Sequence, residues 1–355
     1  MKQKAYLILQ NGWYTEGERF GGDKVVTAEL VFNTAMVGYL ETLTDPSYHG
    51  QLVVETFPQI GNYGVIPEDF ESGVIGPAGF IVQDLCEIPS NFRCKESLGE
   101  LLAARGVAGL CGVDTRALTR QLREQGVMNA AVRNELPKDI GEFCRELSAM
   151  QLAADVYAVS CKTPQTLNPS GARHIALWDF GYKGAIAKAL VERGCKVTVL
   201  PAGTSAQEIA ALNPDGLLLS NGPGDPASYP EIVAQVGRAV ESGLPTFGIC
   251  LGHQLLALAR GGKTAKLKYG HRGANQPVKN LDTGRCYVTS QNHGYAVCTL
   301  PPDGRESYRN LNDGSNEGVE YRDCNAFSVQ FHPEACAGPQ DTAFLFDEFL
   351  KRTEV

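Results

Sequence analysis

The feature that most constrains the fold is a rhythm that begins near His174. "HIALWDF" is an apolar run of strand length, and the helical pattern "KGAIAKALVERG" after it closes on Gly194. The unit then repeats. "CKVTVL" leads to "SAQEIAAL", which opens on a Ser205/Glu208 capping box. "GLLLS" leads through the turn "NGPGDP" to "EIVAQVGRAVESG", and "PTFGI" leads through Cys250 to "LGHQLLALARGG". Strands alternating with helices of this length specify an α/β, doubly wound, mostly parallel sheet. Sites in such sheets form along the edge where the carboxyl ends of the strands emerge.

The chain before this rhythm reads differently. "AYLILQ", "AELVFNTAMVGY" and "QLVVETF" are apolar or alternating runs separated by Gly/Asp-rich turns. Helical patterns follow over Lys95–Gly106, Asp114–Gly126 and Asp139–Met150, the first two ending on glycine. Residues 1–150 are therefore expected to form an α+β domain. Residues 151–172 are expected to be a linker, because "TPQTLNPSG" carries two prolines and no periodicity. Residues 173–355 form the second domain, and two domains suit a chain of 355 residues.

Composition excludes several classes of function. Net charge is −8, with 32 basic against 40 acidic residues and no basic stripe, so nucleic acid is not an expected partner. No run approaches the ~18 apolar residues of a membrane span, and the N-terminus lacks a secretory pattern. The 11 cysteines are scattered without a CxxC pair, which argues against a zinc site or a disulfide framework. A reducing, cytoplasmic setting fits them.

One cysteine stands apart. Gly248-Ile-Cys250-Leu-Gly252 places a nucleophile between small residues on a strand-to-helix turn. Such an elbow thrusts the sulfur above the sheet edge, sets it at a helix N-terminus that favours negative charge, and aims the Leu251 N–H at an oxyanion formed there. A nucleophilic cysteine needs a base. Of the six histidines, His253 lies one turn up the elbow helix and reads as scaffold. His332 ends the run "AFSVQF", with Glu334 two residues on, where it can hold one imidazole nitrogen while the other faces the thiol. Gly222 and Gly224 in "NGPGDP" are candidate second oxyanion donors, since Pro223 has no N–H. "GGKT" at Gly261–Thr264 lacks the earlier glycine and the preceding strand of a phosphate loop, so no nucleotide site is expected.

"NGPGDP", "GICLGHQ" and "FHPE" together resemble the class I (triad) glutamine amidotransferases. "VFNTAMVGYLETLTDPSY", "GVDTRALTRQLREQG", "DFGYKGAI", "YGHRGANQPV" and "SQNHGYAV" extend the resemblance, over nearly the whole chain, to the small-subunit family of carbamoyl-phosphate synthetase. The resemblance implies that Cys250 attacks the γ-amide of L-glutamine and forms a γ-glutamyl thioester, with His332 and Glu334 completing the triad. It implies glutamine contacts at Ser47, Gly222, Gly224, Leu251, Gln254, Asn292, Gly294 and Tyr295, where the family often has phenylalanine at the last. Lys183 and His293 match family positions with auxiliary roles. The family sends ammonia to a large ATP-dependent synthetase subunit, so ATP and magnesium are expected in that partner, and no cofactor or metal in this chain. Because Ser47 lies in the first domain, the site is expected to draw on both. The competing readings are the glutaminase of another class I amidotransferase, a catalytically dead module on the same fold, and a cysteine peptidase.

Overall fold

The computed structural model describes residues 3–151 and 155–354. The chain divides into two compact units between Ala154 and Asp155. The first unit holds strands β1 (Lys4–Leu9), β2 (Tyr14–Gly21), β3 (Val26–Asn33), β4 (Gln51–Glu55), β5 (Gln59–Ile60), β6 (Gly79–Ile81), β7 (Asp84–Leu85), β8 (Ala108–Cys111) and β9 (Met128–Arg133). Seven of them close into a barrel in the order β1-β2-β8-β6-β4-β3-β9, and β5 pairs with β7 alone. Closure leaves the barrel without a free edge. Helices start where short polar side chains bind orphan backbone N–H groups. Ser97 accepts from Glu100 N, Asp114 from Ala117 N and Asp139 from Glu142 N. The run "AELVFNTAMVGY" is a strand only to Asn33. Gly38, at φ 87°, turns the chain into a short helix, Tyr39–Thr44.

The second unit is built on one ten-stranded sheet. Its strands are β10 (Gln165–Leu167), β11 (Arg173–Asp179), β12 (Cys195–Pro201), β13 (Gly216–Leu219), β14 (Thr246–Ile249), β15 (Lys263–Asn280), β16 (Cys286–Thr299), β17 (Gly304–Asn310), β18 (Asn316–Tyr321) and β19 (Ala326–Val329). The order is β10-β12-β11-β13-β14-β19-β18-β17-β15-β16. The run from β12 to β19 is parallel, as the strand–helix rhythm requires. Successive residues of β11 feed opposite faces. Ile175 and Leu177 pack with Ile186, Leu190, Phe346 and Phe349, while Ala176 and Trp178 pack with Ile209, Val236, Leu255 and Leu256. Helices thus cover both faces, and the period of 2 along each strand is what allows it.

Two features lie outside the sequence reading. Beyond β19 the sheet continues antiparallel through β18, β17, β15 and β16. Of the stretch read as a linker, residues 152–154 lie outside the described residues, and residues 155–172 are built into the fold. Gln165–Leu167 pairs antiparallel with β12, and a short helix, Val156–Val159, precedes it. Asn168, at φ 45°, and two prolines hide this edge strand from its sequence. "GGKT" runs directly into β15.

Candidate active site

Cys250, His332 and the Asn221–Gly224 turn lie at the carboxyl ends of adjacent parallel strands. Ile249 pairs with Val329 and Leu219 with Gly248. Cys250 therefore ends β14, His332 lies three residues beyond β19, and the Asn221–Gly224 turn follows β13 on the other side.

Cys250 is buried and sits at φ 54°, ψ −103°. That backbone is costly for a non-glycine residue and persists only where its surroundings fix it. Here its N–H donates to Val329 O at 2.9 Å, and the helix Leu251–Ala259 starts at once. The flanking glycines are required by contact. A Cβ on Gly252 would lie 2.3 Å from Leu219 O, and one on Gly248 would lie 2.8 Å from Gly252 O. The Cys250 thiol points at Asn292 O, 3.6 Å away.

His332 Nδ1 lies 2.6 Å from Glu334 Oε1. The His332 N–H donates to Ser290 O at 2.9 Å, which ties the turn to β16. Lys183, at the start of the helix Gly184–Glu192, places its Nζ 2.8 Å from the same Glu334 Oε1. Neither carboxylate nor imidazole touches solvent, and His332 Nε2 has no hydrogen-bond partner. Burial works against the Glu334 charge, but Lys183 and then His332 overcome it and hold the carboxyl at about 2. Burial and Lys183 push the His332 imidazole down; Glu334 and the nearby Cys250 sulfur outweigh them and raise it. The site is therefore a chain of charges, Lys183–Glu334–His332, whose imidazole also feels the Cys250 sulfur. Sequence reasoning gave Lys183 only an auxiliary role; its contact with Glu334 spans 151 residues and leaves no local signal.

The remaining candidates divide. A Cβ on Gly222 would lie 2.2 Å from Phe180 O, and Gly224 has φ 92°, so both glycines are needed for the turn. Gln254, one turn up the elbow helix, donates from Nε2 to Tyr295 O at 2.7 Å and to Gln330 Oε1 at 2.9 Å. Asn292, Gly294 and Tyr295 lie together on β16. His293 points into the unit, with Nδ1 2.8 Å from Tyr295 O and Nε2 3.1 Å from Gln291 Oε1. His253 is scaffold. It is fully buried, lies 2.8 Å from Ser328 Oγ, and is pushed down to about 3 by burial, so it stays neutral. Ser47 belongs to the first unit, in the turn Pro46–Tyr48, where its N–H donates to Asp45 Oδ1 at 2.8 Å. All 11 cysteines are free. No helix among the described residues is long and apolar enough to cross a membrane.

A thiol on a strained elbow, with a buried His–Glu pair just beyond the neighbouring parallel strand, defines a class, and the comparison with known families names it. Residues 176–352 match the family model described as glutamine amidotransferase class-I. Residues 7–132 match the model described as carbamoyl-phosphate synthase small chain, CPSase domain. The chain is 48% identical to the carbamoyl phosphate synthase small chain of Clostridium perfringens, over 98% of this chain and 99% of that one. It is 46% identical to the protein of the same name from Staphylococcus epidermidis, over 99% and 96%, and 44% identical to that of Listeria innocua, over 99% and 97%. The chain belongs to the carbamoyl-phosphate synthase small chain family.

Proposed function

We propose that this chain is the glutamine-hydrolysing subunit of a carbamoyl-phosphate synthase and that its chemistry runs through Cys250. The thiol proton passes to His332 Nε2 as Sγ forms a bond to the γ-carbonyl carbon of glutamine. The oxyanion is met by backbone N–H groups at Leu251 and Gly224. As the tetrahedral carbon collapses, its C–N bond breaks, His332 returns the proton to the nitrogen, and ammonia leaves a γ-glutamyl thioester on Cys250. His332 then takes a proton from water, which attacks the thioester and releases glutamate and the free thiol. Glu334 keeps the imidazole oriented and able to hold a proton, and Lys183 keeps Glu334 ionised. Gly222, Gln254, Asn292, Gly294 and Tyr295 are the proposed glutamine contacts.

The observation that supports this reading is one juxtaposition. Cys250, held at φ 54°, ends the strand that pairs in parallel with the strand leading to His332. The first unit favours this family over other class I amidotransferases, because residues 7–132 match the small-chain model. Ammonia is a product worth making on a protein only if something consumes it before it is protonated in water. The proposed partner is a large synthetase subunit that carries ATP and its metal, while this chain works in the cytoplasm with no cofactor of its own. The test is synthesis by the two-subunit complex with glutamine or ammonia as nitrogen donor, with and without Cys250→Ser. The variant should lose the glutamine-dependent rate and keep the ammonia-dependent one. Loss of both, or of neither, contradicts the assignment.

A further inference from the structure

Behind the proposed glutamine contacts lies a buried polar cluster that the chemistry above does not use. His271 faces His293 across the β15–β16 pair. Both of its nitrogens meet acceptors. Nε2 is 2.8 Å from Asp313 Oδ2, and Nδ1 is 3.0 Å from Gln291 Oε1 and 3.5 Å from Glu317 Oε1. Glu317 is wholly buried and also accepts from Asn310 Nδ2 and Gln291 Nε2, each at 2.9 Å. The same Gln291 Oε1 lies 3.1 Å from His293 Nε2. The other nitrogen of His293 meets Tyr295 O, the carbonyl to which Gln254 donates.

His271, His293 and Glu317 are close enough to share a metal ion. The amide of Gln291 stands between them, however, with its oxygen toward both imidazoles and its nitrogen toward Glu317, so the centre is already filled. What the cluster can do is fix a backbone. Asn292, Gly294 and Tyr295 share a strand with Gln291 and His293, and both of those side chains are held from behind. The anchor is His271. Burial disfavours its charge, but Glu317 and Asp313 on either side more than restore it.

We propose that His271, clamped between Glu317 and Asp313, is a positioning residue for glutamine. Through Gln291 and His293 it holds the Asn292–Tyr295 backbone in its binding conformation. It touches neither the substrate nor the sulfur. This inference rests on the glutaminase reading. It predicts a specific kinetic signature, because weakening a contact made equally in the ground and transition states raises KM and leaves kcat in place.

The experiment uses the two-subunit complex with Glu317→Gln, His271→Asn and Asp313→Asn. Glu317→Gln keeps the shape of the side chain and removes its charge. Asp313 is half-exposed, so its variant remains readable if His271→Asn fails to fold. Each substitution removes a charge-assisted hydrogen bond, and KM for glutamine should rise about tenfold or more. The kcat value should stay within about threefold, and iodoacetamide should alkylate Cys250 at the wild-type rate. A wild-type KM in Glu317→Gln and Asp313→Asn overturns the proposal, as does a fall in kcat at unchanged KM. Wild-type complex that hydrolyses no glutamine would instead overturn the glutaminase reading itself.

Discussion

Lys183→Met tests the charge chain of the site where it is most exposed to failure. The substitution keeps the length of the side chain and removes its ammonium from beside Glu334, in a place where the carboxylate has no exposure. Glu334 is held at about 2 against an ordinary value of 4.5. That depression corresponds to about 3 kcal/mol of stability at neutral pH. Lys183 and His332 together hold the carboxyl there against burial. Removing the Lys183 ammonium should cost about 3 kcal/mol, because it leaves the buried Glu334 carboxylate short of a partner. A depressed carboxyl contributes stability above its ordinary range and loses it as pH falls. The gap between wild type and variant should thus be full above about pH 4.5 and close toward pH 2. Urea unfolding at pH 7, 5 and 3 reads it. Catalysis gives a second measure. Lys183 pushes the His332 imidazole down, so the variant imidazole holds its proton more tightly. The acid limb of glutamine hydrolysis should then move to higher pH. An unfolding midpoint unchanged at pH 7, together with an unmoved acid limb, would refute the coupling of Lys183 to the triad.

Two other substitutions probe the two units separately. Gly252→Ala places a methyl 2.3 Å from Leu219 O and 2.6 Å from Leu219 Cβ, so the elbow must shift. The expected stability cost is about 1–3 kcal/mol by urea unfolding, with a loss of about a hundredfold in kcat; near-wild-type turnover would contradict the elbow geometry. In the first unit, Glu55 is buried with Oε1 unpartnered, and burial raises its carboxyl to about 8. A raised carboxyl is a liability that grows as pH climbs above about 4.5. Glu55→Gln should stabilise by about 3 kcal/mol at pH 7 and by nothing at pH 4, and a stabilisation independent of pH would contradict this.

The site was legible where local backbone geometry and chemistry coincide. Cys250 announces itself because the turn leaves no room for a Cβ at positions 248 and 252, and His332 and Glu334 because two residues fit one motif. The parallel half of the sheet was legible for the same reason: each strand carries its own helix beside it in sequence. The antiparallel half was not. β15 is an 18-residue strand whose register slips at three places, and its many polar residues break the alternation that marks a strand. The contacts of Lys183 with Glu334 and of His271 with Glu317 were invisible because they join residues far apart in the chain. Spacing carries no information about such pairs; only the assembled sheet brings them together.

The central claim is that glutamine is opened by this one sulfur. The most direct measurement is an acid quench of the complex turning over labelled glutamine, followed by digestion and mass spectrometry. The account predicts a γ-glutamyl adduct on the peptide containing Cys250, absent in Cys250→Ser and released by mild base. Hydrolysis that proceeds at full rate with no adduct formed, or with the adduct on any other cysteine, would contradict it.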